Sequence, residues 1–382
     1  MSLRSSLLPL AAGALFACLS FGSAQASEYP LTITDLAGRE VTIPSEPQRI
    51  VVQDGRDLFG LALLDRDDPF KRIVAWNNIL VRSDPTSWGV FAQRWPESSK
   101  RPIDMKFGDE GQVNLEEVAA AKPDLLVFQV RVRQALDDAD LFNRLKALNI
   151  PIVLIDTEME PTVNAPKTIA LLGEVLNREA EAKEFTDFYA DRLAKVQKAV
   201  AGQPEPRVFV DAKAGQKGSE FCCFTHGDVY WGKLVAASGG VNLGTELLKG
   251  RTGDVTTETL IGAKPDVLLM TGSPFSQAES VSPPFGLVAA PEKVETALKG
   301  LIGRPGFSHV KAVADDRAYG IYHQLYASAW NIYAVEFLAK AFHPQVLSSL
   351  DPDADLATIL TRFTGLGADV KPLFGAKAPT AR

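Results

Sequence analysis

One stretch of this chain occurs twice. Leu115-Glu-Glu-Val-Ala-Ala-Ala-Lys-Pro-Asp-Leu-Leu-Val-Phe128 returns 142 positions later as Thr257-Glu-Thr-Leu-Ile-Gly-Ala-Lys-Pro-Asp-Val-Leu-Leu-Met270. Six of the fourteen positions are identical, including the whole Ala-Lys-Pro-Asp turn into an apolar strand. The same helix–turn–strand piece stands once in each half, so the sequence predicts two similar lobes.

The surrounding pattern gives the class of those lobes. Leu31–Ile43 alternates like a hairpin turned at Ala37-Gly38. Short apolar runs follow at Arg49–Val52, Ile73–Trp76, Leu125–Phe128 and Ile152–Asp156, with a helical pattern at Leu141–Leu148. The second half repeats the scheme with strands at Val208–Asp211, Val267–Met270 and Ala318–Ile321, and helices at Gly232–Ala237, Glu292–Leu301 and Asn331–Phe342. Buried strands alternating with helices make parallel βα units. The expected fold is α/β, each lobe a mainly parallel sheet flanked by helices, with a ligand cleft between the lobes.

Between the halves, Arg178–Ala201 places Phe185, Phe188, Tyr189, Leu193, Val196 and Val200 at helical spacing, with no Pro or Gly. Its 24 residues would span about 36 Å as a helix. Its position makes it a spine joining the lobes; a surface helix of one lobe is the other reading. The expected division is an address at 1–26, a first lobe at 27–177, the spine at 178–201 and a second lobe at 202–382. An unbroken helix offers no hinge residues, so ligand should close such lobes only slightly.

Charge narrows the function. Forty Lys and Arg stand against 47 Asp and Glu, net −7, with no basic block. That excludes a nucleic-acid binder, which needs a cationic footprint. Met1–Ala26 has one Arg, an apolar run from Leu7 to Phe21 and a small-x-small site at Ala24-Gln25-Ala26. This reads as a cleavable export signal, with a mature start near Ser27 and a destination in the periplasm. Leu15-Phe16-Ala17-Cys18 offers lipid anchoring at Cys18 as the alternative, although Phe16 fits that signal poorly. The remaining cysteines, Cys222 and Cys223, are adjacent and cannot staple distant segments. A strained disulfide between neighbours and two buried thiols both stay open.

At this point the chain resembles a family: the substrate-binding proteins of bacterial ABC importers for ferric siderophores, vitamin B12 and haem, of the helical-backbone type. The residues that carry it are Asp35-Leu-Ala-Gly-Arg-Glu-Val-Thr-Ile-Pro44, Gln48-Arg-Ile-Val51, Asn114-Leu-Glu116 with Ala121-Lys-Pro-Asp124, and Ser238-Gly-Gly-Val-Asn242. The second Glu–Ala-Lys-Pro-Asp element and Ala339-Lys-Ala-Phe-His-Pro344 complete it. The resemblance implies a monomeric receptor that is not an enzyme, carries no cofactor of its own and works with a permease dimer and its ATPase subunits. It also implies one exposed glutamate per lobe that docks on the membrane subunits. Glu116 and Glu258 hold those places, and Glu117 could stand in for Glu116. A glutamate in the first turn of a helix also favours the helix dipole, which alone would explain either residue.

The cleft should lie at strand C-termini, where open α/β sheets present their loops. Residues following strands there are Arg56, Trp76 and Arg131 in the first lobe. The second lobe adds Tyr230, Trp231, His323, Tyr326 and Trp330. Arginines and aromatics suit an anionic, flat-faced iron(III)–siderophore complex, since guanidinium matches carboxylate or catecholate oxygens. Only four histidines are present, and the sequence shows no converging set for a bare metal. Haem, cobalamin, or a bare metal or oxyanion such as molybdate are the alternatives, and an exported thiol redox protein or enzyme using Cys222 and Cys223 is a further one. Gly227-Asp-Val-Tyr-Trp-Gly-Lys233 imitates a phosphate loop but continues with Leu234, so the Mg²⁺ ligand is missing.

Overall fold

The computed structural model describes residues 27–105 and 114–380. The expected export signal, with Cys18, lies outside the described residues. β1 (Leu31–Thr34) and β2 (Glu40–Ile43) pair antiparallel around the turn expected at Ala37-Gly38. The first large sheet contains β3 (Ile50–Val52), β4 (Ile73–Trp76), β5 (Ile103–Asp104), β6 (Leu125–Gln129) and β7 (Ile152–Ile155). All five run parallel in the order β5-β4-β3-β6-β7. The chain winds toward one edge from β3 and toward the other from β6. The switch point between them is where open sheets part their loops to admit a ligand.

The second large sheet repeats this plan. It contains β8 (Arg207–Asp211), β10 (Val241–Asn242), β12 (Val267–Gly272), β13 (Ala318–Tyr322) and β14 (Gly375–Lys377). Their order is β10-β8-β12-β13-β14, and β14 alone is antiparallel. Its switch point lies between β8 and β12. A separate antiparallel ribbon, β9 (Phe224–His226) with β11 (Thr252–Asp254), was not foreseen in the sequence. β6 and β12 are buried along their whole length, as strands covered on both faces must be.

The sequence echo is a structural echo. Each copy is a seven-residue helix, Leu115–Ala121 or Thr257–Ala263, capped by the side chain of Asn114 or Thr256. Each helix stops at a lysine in the left-handed region, Lys122 at φ 48° and Lys264 at φ 49°. The aspartate that follows then fixes the neighbouring strand. Asp124 accepts from the Gln48 and Arg49 amides at 2.8 and 2.9 Å, and Asp266 from the Arg207 amide at 2.9 Å. The repeated Lys-Pro-Asp thus serves one purpose in both halves: it ends a helix and sets the register of the sheet.

Helix Glu179–Val200 runs unbroken for 22 residues, about 33 Å. It packs on helix Pro161–Val175 from the first half and on helix Ile332–Phe342 from the second. Tyr189 donates its hydroxyl to Asn331 Oδ1 at 2.6 Å, and Phe185 and Phe188 pack on Phe363. The halves also touch directly. Asn331 Nδ2 donates to Pro161 O at 3.1 Å, Ser273 Oγ to Ser83 O at 2.7 Å, and the Tyr322 hydroxyl to Asp84. Cys222 and Cys223 are bonded to each other, which decides between the two states left open above. Among the described residues no helix is long and apolar enough to cross a membrane.

Candidate functional site

Loops from the C-terminal ends of both sheets enclose a cavity of about 570 Å³. Arg56 sits on the short turn after β3 and Arg131 on the turn after β6, one on each side of the first switch point. Glu158 follows β7. From the second lobe come Lys213 after β8, His226 at the end of β9, and His323 and Tyr326 after β13. Of the residues expected at the cleft, Arg56, Arg131, Tyr230, His323 and Tyr326 line this one space.

Three expected ligand residues stand elsewhere. Trp76, Trp231 and Trp330 are 2%, 0% and 1% exposed and belong to the packed interior. Trp76 ends its strand facing the apolar layer, with Phe70 and Trp88 against its ring. Trp231 opens the helix Trp231–Ala237 with its side chain turned inward. Trp330 donates its indole N–H to Phe59 O at 3.1 Å and packs edge-on against the Phe59 ring, fastening one lobe to the other. Trp330→Ala should therefore cost about 3–5 kcal/mol of stability. Chemical denaturation would show this as a lower midpoint, while the folded fraction keeps its ligand affinity.

The arginines differ from their expected state too, because they are not bare. Arg56 grips Asp54 with Nε and Nη2, and its Nη2 also reaches Glu158 Oε1 at 2.9 Å. Arg131 pairs with the same two carboxylates, its Nε 3.1 Å from that same Glu158 oxygen. Arg56 Nη1 donates across the cleft to the Tyr326 hydroxyl. Burial alone would raise the Asp54 carboxyl, yet the Arg56 and Arg131 guanidiniums hold it far below the usual carboxylate range. Asp57 behaves oppositely: burial, reinforced by the Asp54 charge, pushes its carboxyl well above the ordinary value.

The wall is aromatic and uncharged. Tyr326 packs against His226, His323 and Tyr230 with ring centroids 5.0 to 5.9 Å apart. Burial pushes the Tyr326 phenol up to about 12 and the His226 imidazole down to about 3. His323 is driven well below its ordinary value by the same burial, and its Nδ1 lies 2.7 Å from Thr271 Oγ1. Both imidazoles are thus neutral at neutral pH. His226 Nδ1 has no hydrogen-bond partner within the described protein.

A titration follows from the sign of these shifts. Protons bind the unfolded histidine first, so the stability from keeping His226 neutral is present above about pH 6.5. It drains away as pH falls toward about 3. Urea midpoints should drop between pH 7 and pH 4.5, and less steeply in His226→Gln, which has no imidazole to protonate.

Five cationic side chains line the cavity: Arg56, Arg82, Arg131, Lys213 and Arg251. Glu158 is the carboxylate among the lining residues, with Asp54 behind it. Counting Glu158 and Asp54 against the five cations, the formal charge of the wall is positive. Sequence reasoning passed over Lys213, which follows its strand as directly as Arg56 does. It also passed over Glu158 and His226; His226 sits on the unforeseen ribbon.

Comparison with known proteins gives this geometry its context. The periplasmic binding protein family matches residues 80–325. An uncharacterised ABC transporter substrate-binding lipoprotein of Bacillus subtilis, YvrC, is 23% identical over 325 residues, covering 83% of this chain and 86% of that one. The molybdate-binding protein MolA of Haemophilus influenzae is 22% identical over 372 residues, 89% and 92% of the two chains. Among solved structures, the TroA-like periplasmic binding protein FepB of Veillonella parvula superposes with a TM-score of 0.83 at 25% identity, over 92% of this chain and all of that one. The family and these relatives are binding proteins and not enzymes, which removes the thiol-enzyme alternative. Two α/β lobes with parallel sheets flanked by helices match the fold of the FepB structure. The chain belongs to the periplasmic binding protein family, as a substrate-binding protein of an ABC transporter.

Proposed function

We propose that this receptor is exported to the periplasm by cleavage after Ala26, captures an anionic ferric siderophore and delivers it to a permease dimer. The observation that carries the ligand class is the charge of the cavity. Five cationic side chains repel a bare metal cation and attract a metal already wrapped in acidic oxygens. A chelate brings its coordination shell with it, so the protein has to recognise shape and net charge only. The volume, about 570 Å³, fits a ligand of chelate size. The rings of Phe224, Tyr230, Phe275 and Tyr326 supply faces for its apolar parts. Relatives are named for molybdate and for cobalamin, and a neighbouring structure for ferric hydroxamate transport, so names point several ways and the lining chemistry favours the chelate.

Arg56, Arg131, Tyr230, His323 and Tyr326 are proposed to touch it, with Lys213 and His226 added from the structure. For docking we propose Glu116 and Glu258, both exposed at the second position of matching helices. Glu117 is the poorer choice, because Asn114 Nδ2 donates to it at 3.1 Å within the helix cap. Isothermal titration of residues 27–382 with a ferric tris-catecholate, haem, cyanocobalamin, molybdate and ferric ion alone tests the ligand class. The catecholate should bind at about 1 μM or tighter. Tight binding of free ferric ion or molybdate, with none of the chelate, would overturn the reading.

A further inference from the structure

Glu158 places a carboxylate oxygen between the two guanidiniums that line the cavity. Its Oε1 lies 2.9 Å from Arg56 Nη2 and 3.1 Å from Arg131 Nε, bridging two guanidiniums from opposite sides of the switch point. Asp54 already balances the same pair from behind, gripping Arg56 with both oxygens and reaching Arg131 Nη2. The two carboxylates are therefore not equivalent. Asp54 sits in the turn that carries Arg56, where its Oδ1 also accepts from the Arg56 amide at 2.9 Å. It is part of the frame.

Glu158, by contrast, lies on a short loop between β7 and the helix Pro161–Val175, and its side chain faces the cavity. The loop is held at its base by Asp156, whose Oδ1 accepts from the Glu158 and Met159 amides at 3.0 and 2.8 Å. The backbone of the loop is thus fixed by Asp156, while the Glu158 carboxylate makes its bonds to the two guanidiniums and none to the loop.

We infer that Glu158 is a built-in stand-in for the ligand's anionic group. In the empty receptor it satisfies two buried guanidiniums, which would otherwise carry a large desolvation cost. On binding, an acidic oxygen of the ligand takes its place and the Glu158 side chain moves aside. The exchange makes Glu158 a determinant of specificity. A neutral ligand gains nothing by displacing it, whereas an anionic one replaces a charged hydrogen bond with an equivalent one and brings its remaining charge into a positive field. The carboxylate thus lowers affinity for every anion while selecting for ligands acidic enough to compete.

The inference rests on the anionic-ligand reading, and its test separates the two. Wild type, Glu158→Gln and Glu160→Gln are titrated calorimetrically with a trianionic ferric tris-catecholate, a neutral ferric tris-hydroxamate and molybdate. Glu160 is the control. It lies two residues away, its side chain half exposed and paired with Lys233, so its loss changes net charge equally without touching the guanidiniums. The stand-in role predicts that Glu158→Gln binds the catecholate about tenfold or more tighter, since a charged competitor is removed. The hydroxamate should change less than about twofold, and Glu160→Gln should resemble wild type for all three. Weaker or unchanged catecholate binding in Glu158→Gln overturns the inference, as does an equal gain in Glu160→Gln. Should Glu158→Gln fold poorly, Glu158→Asp keeps the charge but shortens the reach by one methylene, and a gain for the catecholate is again required. If wild type ignores the catecholate but binds molybdate, the siderophore reading fails, and the Glu158 role is then decided by the molybdate ratio.

Discussion

Arg56→Ala should both weaken the fold and abolish useful binding. Removing the guanidinium leaves Asp54 and Glu158 buried with Arg131 as their shared partner, and it deletes the bond to Tyr326 that crosses the cleft. Breaking a buried ion pair from one side costs about 3–5 kcal/mol, because the charge left behind has lost its solvent and its partner. Denaturant titration of the unliganded protein should register that loss directly. Affinity for an anionic chelate should fall by about 100-fold in the protein that remains folded, since a charged hydrogen bond at the floor is gone. Arg56→Lys should recover little of either. An ammonium cannot span Asp54, Glu158 and Tyr326 at once, whereas the planar fork does. Wild-type stability in Arg56→Ala would mean that the network at the cleft floor contributes nothing to holding the lobes.

The second large effect is expected outside the cleft. Glu116→Ala with Glu258→Ala should leave the dissociation constant of the ligand unchanged while lowering transporter-dependent uptake by about tenfold or more. Truncating one partner of an interfacial charge pair commonly costs 2–5 kcal/mol. Both residues are exposed at helix starts, away from the residues lining the cavity. Uptake measured in reconstituted vesicles, with receptor in excess, separates delivery from capture. On the proposed docking role, each single variant should be impaired less than the pair, because the two residues sit on different lobes. Full uptake by the double variant would remove both residues from the interface.

The readable part of this molecule was the part written locally. Ala-Lys-Pro-Asp ends a helix and leads into a strand in both places, so the repeat marks two lobes without reference to any tertiary contact. Strand ends are equally local, and the rule that cleft residues follow them gathers Arg56, Arg131, His323 and Tyr326 around one cavity. It failed for Trp76, Trp231 and Trp330 because a large aromatic beside a strand end serves a core as well as a cleft. Only the direction of the side chain, set by the surrounding packing, decides between them.

The neutralisation of Arg56 was invisible for a different reason. Glu158 is 102 residues away in sequence, and nothing near either residue announces the pairing. The ribbon of β9 and β11, which carries Phe224 and His226 to the cavity, is three residues per strand, too short for alternation to show. Charge, repeat and strand positions are legible in the sequence, while the order of the strands and the partners of each charge come only from the fold.

The central claim is that the receptor carries iron inside an acidic organic chelate. Native mass spectrometry of the protein, purified without denaturation from the periplasm of iron-starved source cells, addresses it most directly. The account predicts an adduct containing iron together with an organic mass, lost as one unit on gentle activation. An adduct of metal ion alone, of molybdate or of a corrinoid would contradict it.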